Sequence, residues 1–162
     1  FTHQHLGEIK ETLNEIQGKD TDVLFLPQRG DFTRGIFVSA YTLFDGNLKD
    51  ALKLYEDFYK EEPFTQVSKN EVHLKLVINS NQCFLHLHKH KDQLLITSII
   101  DNLIKGASGQ AIQNLNLMIG WEEKLGLQLK TSIFPWYDGE LPKYLGPAQF
   151  RGAKPIFVEG RR

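Results

Sequence analysis

Residues 83–118 read CFLHLHKHKDQLLITSIIDNLIKGASGQAIQNLNLM, and this stretch decides the fold class. Its first eight residues alternate in polarity, and the eight residues before Asp101 are rich in β-branched side chains. Both patterns predict strands. Only Lys91 and Asp92 separate the two strands, which predicts a hairpin. From Asp101 apolar residues recur at helical spacing, which predicts a helix over 101–119.

The residues before this stretch predict five further elements. They are a helix over 5–17, a short buried strand over 23–27, a strand over 36–44, a helix over 48–62 and a strand over 72–78. The order along the chain is therefore α, β, β, α, β, β, β, α. Short turns and segregated helices predict an α+β domain with a mixed, mainly antiparallel sheet and helices packed on one face.

The composition excludes several classes of protein. The chain has 162 residues, 41% of them hydrophobic and 24% charged, which is typical of one globular domain. A net charge of -1 argues against nucleic acid or an anionic membrane as the main partner. No apolar run approaches the roughly 20 residues that span a bilayer. The single cysteine, Cys83, excludes an intrachain disulfide framework and indicates a reducing, cytoplasmic setting.

Polar and small residues follow the hairpin at the predicted strand–helix junction. Asp101 and Asn102 are common helix caps. The alternative is that free backbone N–H groups and the Asn102 amide bind an anion or a carboxamide. The glycines and alanines of residues 106–111 indicate close packing by another element or a ligand. Each glycine near a helix start costs about 1 kcal/mol against alanine, so another interaction must compensate.

The segment DNLIKGASGQAIQNLNLM closely resembles the C-terminal segment of the N-acetyl-gamma-glutamyl-phosphate reductases, arginine-pathway enzymes related to aspartate-semialdehyde dehydrogenase. HQHLGEI at 3–9 resembles the His-x-His-x-Pro-Glu-Ile motif of that family, with Gly7 in place of the usual Pro. FTRGI at 32–36 resembles its Arg-Gly element. The resemblance extends over residues 1–134, in the order and at about the spacing of the family.

The resemblance implies a two-part enzyme. A Rossmann domain would bind NADP(H), and an α+β domain would supply substrate contacts and the interface of a homodimer or tetramer. A cysteine thiolate would attack the acyl phosphate, phosphate would leave, and hydride would reduce the thioester to the semialdehyde. That cysteine and the Gly-rich fingerprint belong to a segment upstream of Phe1 in the family.

These features predict that the chain is the C-terminal portion of such a reductase and is inactive by itself. We expect residues 1–134 to form the substrate-binding and dimerisation domain. Its last helix, 101–119, is expected to return to a Rossmann domain outside these residues. Residues 135–162, rich in Pro and Gly, are predicted to be an extended tail, or in part a segment foreign to the native protein.

Three residues near the N-terminus are implied to carry the acid–base chemistry. A thiolate mechanism needs a neighbouring imidazole, which lowers the pKa of the thiol and handles the proton at the carbonyl oxygen. By resemblance, His3 is the first choice for the catalytic base, with His5 and Glu8 in support. A solvated chain terminus is the alternative interpretation.

Four further residues are implied to contact substrate or cofactor. Arg34 would bind a phosphate or carboxylate with its planar guanidinium, and Lys105 would assist with phosphate charge. Asn102 would bind the nicotinamide carboxamide, with Gly106 beside it. The alternative for Arg34 is a surface arginine in a turn, which is our interpretation of Arg29.

Two other patterns carry weaker signals. SNQC at 80–83 superficially resembles the Ser-Asn-Pro-Gly-Cys nucleophile motif of the family, but Cys83 leads into a strand and lacks the glycine turn, so we interpret it as structural. His86, His88 and His90 share one strand face, where alternate histidines could ligate zinc. No Cys, Asp or Glu on that strand face completes a set of ligands, so the sequence predicts a solvated face and no metal site.

Three alternatives to the leading hypothesis remain. A related reductase acts on aminoadipyl or glutamyl phosphate bound to a carrier protein, although a carrier would favour a basic rim. A second alternative is a non-catalytic dimerisation or binding module, in which substitution of His3 or Arg34 would have no effect. The weakest is a histidine-based metal module.

Overall fold

A computed structural model describes residues 3–131 of the chain. The chain divides into two compact units between Thr33 and Arg34, and each is described by itself. The predicted tail 135–162 lies outside the described residues. Among residues 3–131, no helix is long and apolar enough to cross a membrane.

The first unit is built on helix α1, Gln4–Gln17, which confirms the predicted helix over 5–17. His3 caps its start, since its Nδ1 accepts a hydrogen bond from the backbone N–H of His5 at 3.3 Å. Gly18 ends it with φ at 65°, a left-handed conformation that suits glycine. The N–H of Gly18 donates to the carbonyl of Asn14 at 2.8 Å.

The predicted buried strand over 23–27 is wrong. This segment is irregular, and its Leu24 and Leu26 are 77% and 52% exposed. A strand needs a neighbour for its backbone N–H and C=O groups, and residues 3–33 contain no second strand. The segment before it is instead tied to α1, because Thr21 N–H donates to Asn14 Oδ1 at 2.7 Å.

The second unit contains a four-stranded sheet. Its strands are β1 (Ile36–Leu43), β2 (Thr65–Ser68), β3 (Cys83–His90) and β4 (Gln93–Ile100), in the spatial order β1-β4-β3-β2. β4 pairs antiparallel with both β1 and β3, and β2 pairs parallel with β3. The predicted hairpin and the mixed, mainly antiparallel sheet of an α+β domain are therefore confirmed.

The predicted strand over 72–78 is wrong, and β2 was not predicted. Leu74–Leu76 forms a single 3₁₀ turn. The apolar residues of this segment do not pair in the sheet; Val77 and its neighbours pack against Phe84 of β3 and Ile99 of β4. Their alternation therefore reflects burial on a sheet face, which a pattern of period two does not distinguish from strand pairing. β2 has only four residues, too few for a clear period.

Helix α2, Leu48–Tyr59, covers the opposite face of the sheet and ends three residues before its predicted limit. Asn47 caps it, since its side chain accepts a hydrogen bond from the N–H of Asp50 at 3.0 Å. The helix buries Ala51 fully against Leu87 and Leu94. This packing fixes β3 and β4, which lead into the candidate site.

The predicted last helix is confirmed, with one irregular turn at its start. Residues Ile104–Ser108 form a π-helical turn, and α3 continues over Gly109–Met118. Its buried positions are Gly109 and the polar Gln113 and Asn116. Its apolar residues, which indicated the helix, are mostly exposed, and Met118 is 83% exposed. The helix thus turns a polar face toward the rest of this unit.

Candidate functional site

The candidate site lies where β1 begins and β4 ends. These strands are antiparallel and Ile36 pairs with Ile100, so the residues just before β1 meet the residues just after β4. Arg34 Nε lies 2.7 Å from Asp101 Oδ2 in an ion pair. In parallel, Gly35 N–H donates to Asn102 Oδ1 at 2.7 Å. The register of β1 against β4 therefore brings the predicted site residues Arg34 and Asn102 to the same end of the sheet, although they are far apart in the sequence.

Asp101 is the centre of this arrangement and is completely buried. Its Oδ1 accepts hydrogen bonds from the N–H groups of Leu103 at 2.8 Å and Ile104 at 3.0 Å. Its Oδ2 accepts one from Asn79 N–H at 2.7 Å and contacts Arg34. Burial raises the pKa of the carboxyl, but these four donors outweigh it and lower the pKa below its ordinary value. Asp101 therefore caps the following helix and remains a carboxylate at neutral pH.

Arg34 presents the free end of its guanidinium. Its side chain is 28% exposed, and its Nε is the atom that meets Asp101. Among residues 34–131, no hydrogen bond or ion pair engages its two terminal nitrogens. The following Gly35 has φ at 114°, and an added Cβ would lie 2.7 Å from Leu74 Cδ2. Leu74 is a flexible side chain that can move aside, but residues with a side chain rarely adopt this φ, so the backbone next to Arg34 favours glycine.

The side-chain amide of Asn102 uses only its oxygen within the described part of the second unit. Its Oδ1 accepts from Gly35, while no partner engages its Nδ2 within the described part of the second unit. An amide NH₂ in this state is a donor for a carbonyl oxygen. Gly106 lies nearby, and an added Cβ there would be 3.4 Å from the carbonyl oxygen of Asp101 and 3.5 Å from Ile100 Cδ1. These are ordinary contacts, so the packing of this unit does not by itself require a glycine at 106.

The glycine that packing does require is Gly109. An added Cβ would lie 2.2 Å from Asn81 Oδ1 and 2.6 Å from Ile104 Cγ2. Asn81 is completely buried and donates through Nδ2 to Gln113 Oε1 at 3.2 Å. This polar contact was not predicted from the sequence. Its only signal was the helical spacing of Gly109, Gln113 and Asn116 along one face.

Lys105 shares the Gln113 side chain with Asn81. Its Nζ donates to Gln110 Oε1 at 2.6 Å and Gln113 Oε1 at 2.8 Å, and lies 5.9 Å from the ring centroid of Phe64. Burial lowers its pKa from the ordinary value of lysine. Within residues 34–131 no contact joins Lys105 to Arg34, so the two predicted substrate contacts have separate surroundings.

Cys83 has the properties of a structural thiol. Its Sγ lies 3.6 Å from Ser98 Oγ on the neighbouring strand. Burial raises the pKa of the thiol, and the hydrogen bond to Ser98 and the charge of Lys105 offset this only in part. An activated nucleophile needs a lowered pKa, so this geometry supports the structural interpretation.

The three acid–base candidates lie in the first unit. The ring of His3 packs with its centroid 5.0 Å from that of His5 and 4.9 Å from that of Phe25. Because His3 Nδ1 accepts the capping hydrogen bond, a neutral ring carries its proton on Nε2. Glu8 is exposed on α1. Since these residues belong to a separate unit, their part in a common site stays a prediction.

The three histidines of β3, which are His86, His88 and His90, have different surroundings. His86 Nδ1 lies 3.2 Å from the carbonyl oxygen of Ser68 on β2. His88 and His90 are exposed on the same face of β3. In the part of the chain that the structure describes, no group of three or more His, Cys, Asp or Glu residues could hold a metal ion.

Residues 1–102 match the family profile of the semialdehyde dehydrogenase dimerisation domain. The chain belongs to this family. It is also 55% identical over 135 residues to N-acetyl-gamma-glutamyl-phosphate reductases from Christiangramia forsetii and Flavobacterium johnsoniae. A reductase of the same name from Phocaeicola vulgatus is 47% identical over 135 residues. In each case the match covers 83% of this chain and 42% of the relative.

These comparisons confirm the resemblance that the motifs indicated. The chain spans about two fifths of the length of the curated relatives it matches (42%). A dimerisation domain also agrees with the expected assembly of this chain into an oligomer.

Proposed function

We propose that the protein containing this chain is an NADPH-dependent reductase that converts N-acetyl-gamma-glutamyl phosphate to N-acetylglutamate semialdehyde in arginine biosynthesis, in the cytoplasm. The observation that carries this proposal is 55% identity over 135 residues to relatives with that reductase name. The reaction consumes NADPH, a proton and the acyl phosphate, and releases NADP⁺, the aldehyde and inorganic phosphate.

The relatives extend beyond the part that this chain matches. We assign the nucleophilic thiol and the Rossmann domain to that remaining part, since these 162 residues contain no G-x-G-x-x-G fingerprint. The raised pKa of Cys83 supports this division. By itself, the chain is then inactive.

Arg34 binds the substrate anion in this proposal. Its guanidinium is anchored at Nε and its side chain is partly exposed, which leaves the terminal nitrogens for a bidentate contact. A phosphate and a carboxylate, both present on the substrate, suit such a contact. Lys105, with two of its three N–H bonds given to glutamines, adds positive charge at longer range.

His3 supplies the proton chemistry, with His5 and Glu8 in support. A ring whose Nδ1 accepts the capping bond presents an Nε2–H that can donate to the substrate carbonyl oxygen as charge develops there. The same imidazole, when protonated, would lower the pKa of a thiol beside it.

NADPH supplies the hydride when it is bound. Asn102 fits a carboxamide, because its Oδ1 is held by Gly35 and its Nδ2 remains a donor for the carboxamide oxygen. At Gly106 the packing of this unit would admit a Cβ, and we assign the absence of a side chain there to close approach of the nicotinamide ring.

The assembly in this proposal is a homodimer or tetramer formed through β1. This strand is an edge of the four-stranded sheet and is exposed along its whole length. Its Tyr41 and Leu43 are 70% and 69% exposed, and a second copy would cover them. In light scattering at micromolar concentration we expect a dimer or larger, which Tyr41→Lys dissociates. Phe58→Lys on α2, where Phe58 is 74% exposed, is the matched control.

The experiment that tests the reductase proposal uses the full-length protein. Oxidation of NADPH with the acyl phosphate is followed together with release of phosphate. Arg34→Ala is expected to raise KM about tenfold or more, since it removes a charged hydrogen-bonding group. His3→Ala is expected to lower kcat about a hundredfold.

Two matched variants serve as controls. Arg29→Ala removes an exposed arginine of the first unit, and His88→Ala removes an exposed histidine of β3. Both should retain wild-type kinetics. A full-length protein that oxidises no NADPH with this substrate would overturn the proposal. Activity only on a carrier-linked acyl phosphate would transfer it to the related carrier-dependent reductases.

A further inference from the structure

Antiparallel pairing of β1 and β4 produces two adjacent contacts across the start of the candidate site. Arg34 Nε meets Asp101 Oδ2 at 2.7 Å, and Gly35 N–H meets Asn102 Oδ1 at 2.7 Å. The two residues before one strand thus hold the two residues after its neighbour. The contact of interest is the first, because it pairs a partly exposed arginine with a completely buried carboxylate.

The carboxylate of Asp101 is itself rigidly held. Three backbone N–H groups, from Asn79, Leu103 and Ile104, donate to it at 2.7 to 3.0 Å. The ion pair with Arg34 Nε adds a fourth contact, at 2.7 Å from Oδ2, so the group has little freedom to turn. A carboxylate fixed in this way fixes the direction of the guanidinium that it contacts.

A guanidinium has five N–H donors, one on Nε and four on the terminal nitrogens. Asp101 Oδ2 forms its ion pair at Nε, 2.7 Å away, and within residues 34–131 no hydrogen bond or ion pair engages the two terminal nitrogens. We infer that Asp101 is a positioning residue, which holds Arg34 through Nε so that both terminal nitrogens face the anionic group of the substrate. This inference rests on the proposed role of Arg34 in substrate binding.

The arrangement has a kinetic consequence. Arginine has many rotamers, and a side chain ordered before binding loses less conformational freedom when the substrate arrives. Removal of Asp101 should therefore weaken binding of the acyl phosphate while the chemical groups of the reaction remain in place.

The test is a double-mutant cycle in the full-length protein with Asp101→Asn and Arg34→Ala. Asparagine keeps the size of the side chain and one oxygen that can accept from backbone N–H groups. Its NH₂ group replaces the other oxygen, so the groups that face this oxygen in the wild type would meet a hydrogen-bond donor instead. We expect Asp101→Asn to raise KM for the acyl phosphate about tenfold, with a much smaller change in kcat. In the Arg34→Ala background the same substitution should raise KM no further.

The outcomes separate this inference from the proposed function. If Arg34→Ala leaves KM unchanged, the proposed role of Arg34 in substrate binding fails. If Arg34→Ala raises KM and Asp101→Asn raises it by the same factor in both backgrounds, only the positioning role is overturned. Asp92→Asn, in the exposed turn between β3 and β4, should leave KM at the wild-type value.

Arg34→Lys keeps the test decisive if Asp101→Asn does not fold. Lysine can pair with Asp101 through its ammonium group, but it then has no planar pair of nitrogens for the substrate. We expect a melting temperature close to wild type and a KM as high as that of Arg34→Ala. A wild-type KM for Arg34→Lys would overturn the inference.

Discussion

Two glycines of the last helical segment provide a sharp test of how this unit packs. Gly106 lies in the π-helical turn and Gly109 begins α3, and alanine favours a helix over glycine by about 1 kcal/mol at an interior position. Helix propensity alone therefore predicts that Gly106→Ala and Gly109→Ala stabilise the protein equally.

The surroundings of the two glycines differ. At Gly106 the nearest atom to an added Cβ is 3.4 Å away, so the full gain of up to about 1 kcal/mol is expected. At Gly109 the added Cβ would lie 2.2 Å from Asn81 Oδ1 and 2.8 Å from the carbonyl oxygen of Ile104. Overpacking of this kind costs about 1 to 3 kcal/mol. A displaced Asn81 would also lose its bond to Gln113, which costs about 1 kcal/mol more.

We therefore expect the free energy of unfolding of Gly109→Ala to be about 2 to 4 kcal/mol lower than that of Gly106→Ala. For a chain of 162 residues each kcal/mol shifts the melting temperature by about 2 to 4 °C. Urea denaturation and thermal melting, both followed by circular dichroism, would measure the difference. Equal stability of the two variants, or a more stable Gly109→Ala, would refute the close approach of Asn81 to this helix.

Three further predictions concern stability and thiol chemistry. Gly35→Ala should destabilise the fold by about 1 to 3 kcal/mol, because φ is 114° and an added Cβ would lie 2.7 Å from Leu74 Cδ2. Urea denaturation would measure this, and a midpoint equal to that of the wild type would contradict the prediction. The lowered pKa of Asp101 means that its carboxylate stabilises the folded state above the unfolded pKa of about 3.9, and that this contribution is lost as pH falls through the lower folded pKa. Unfolding free energies measured in a pH series should show this acid loss in the wild type and less of it in Asp101→Asn. Burial raises the pKa of Cys83, so its alkylation by iodoacetamide at neutral pH should be slower than that of free cysteine and should accelerate in denaturant. Ser98→Ala removes a hydrogen bond that lowers this pKa, so this variant should not alkylate faster than wild type in the folded state.

Local pattern was sufficient for much of the fold. The hairpin of β3 and β4 follows from two eight-residue strands and a two-residue turn. Helices α1, α2 and α3 follow from apolar spacing, with Gly18 as the predicted stop of α1 and Asn47 as the predicted cap of α2. The segment beginning at Asp101 also carried the family resemblance that the comparisons confirm. These features depend on neighbours in the sequence, whose chemistry is visible in one chain.

The errors arose where contacts between distant residues decide the structure. Apolar residues over 72–78 alternate as in a strand, yet they fill a sheet face and form a 3₁₀ turn at Leu74–Leu76. Those over 23–27 have no strand to pair with in their unit. Burial of apolar side chains and backbone pairing leave the same short pattern in a sequence, so only the tertiary structure separates them.

The candidate site shows the same difference between features that depend on local sequence and features that depend on contacts between distant residues. The sequence by itself determined that an Arg-Gly element precedes one strand, that Asp-Asn follows another, and that both belong to a reductase family. That Arg34 pairs with Asp101, and Gly35 with Asn102, was decided by the register of β1 against β4. A register is a sum of many weak cross-strand contacts between segments far apart in the chain, so no short motif contains it.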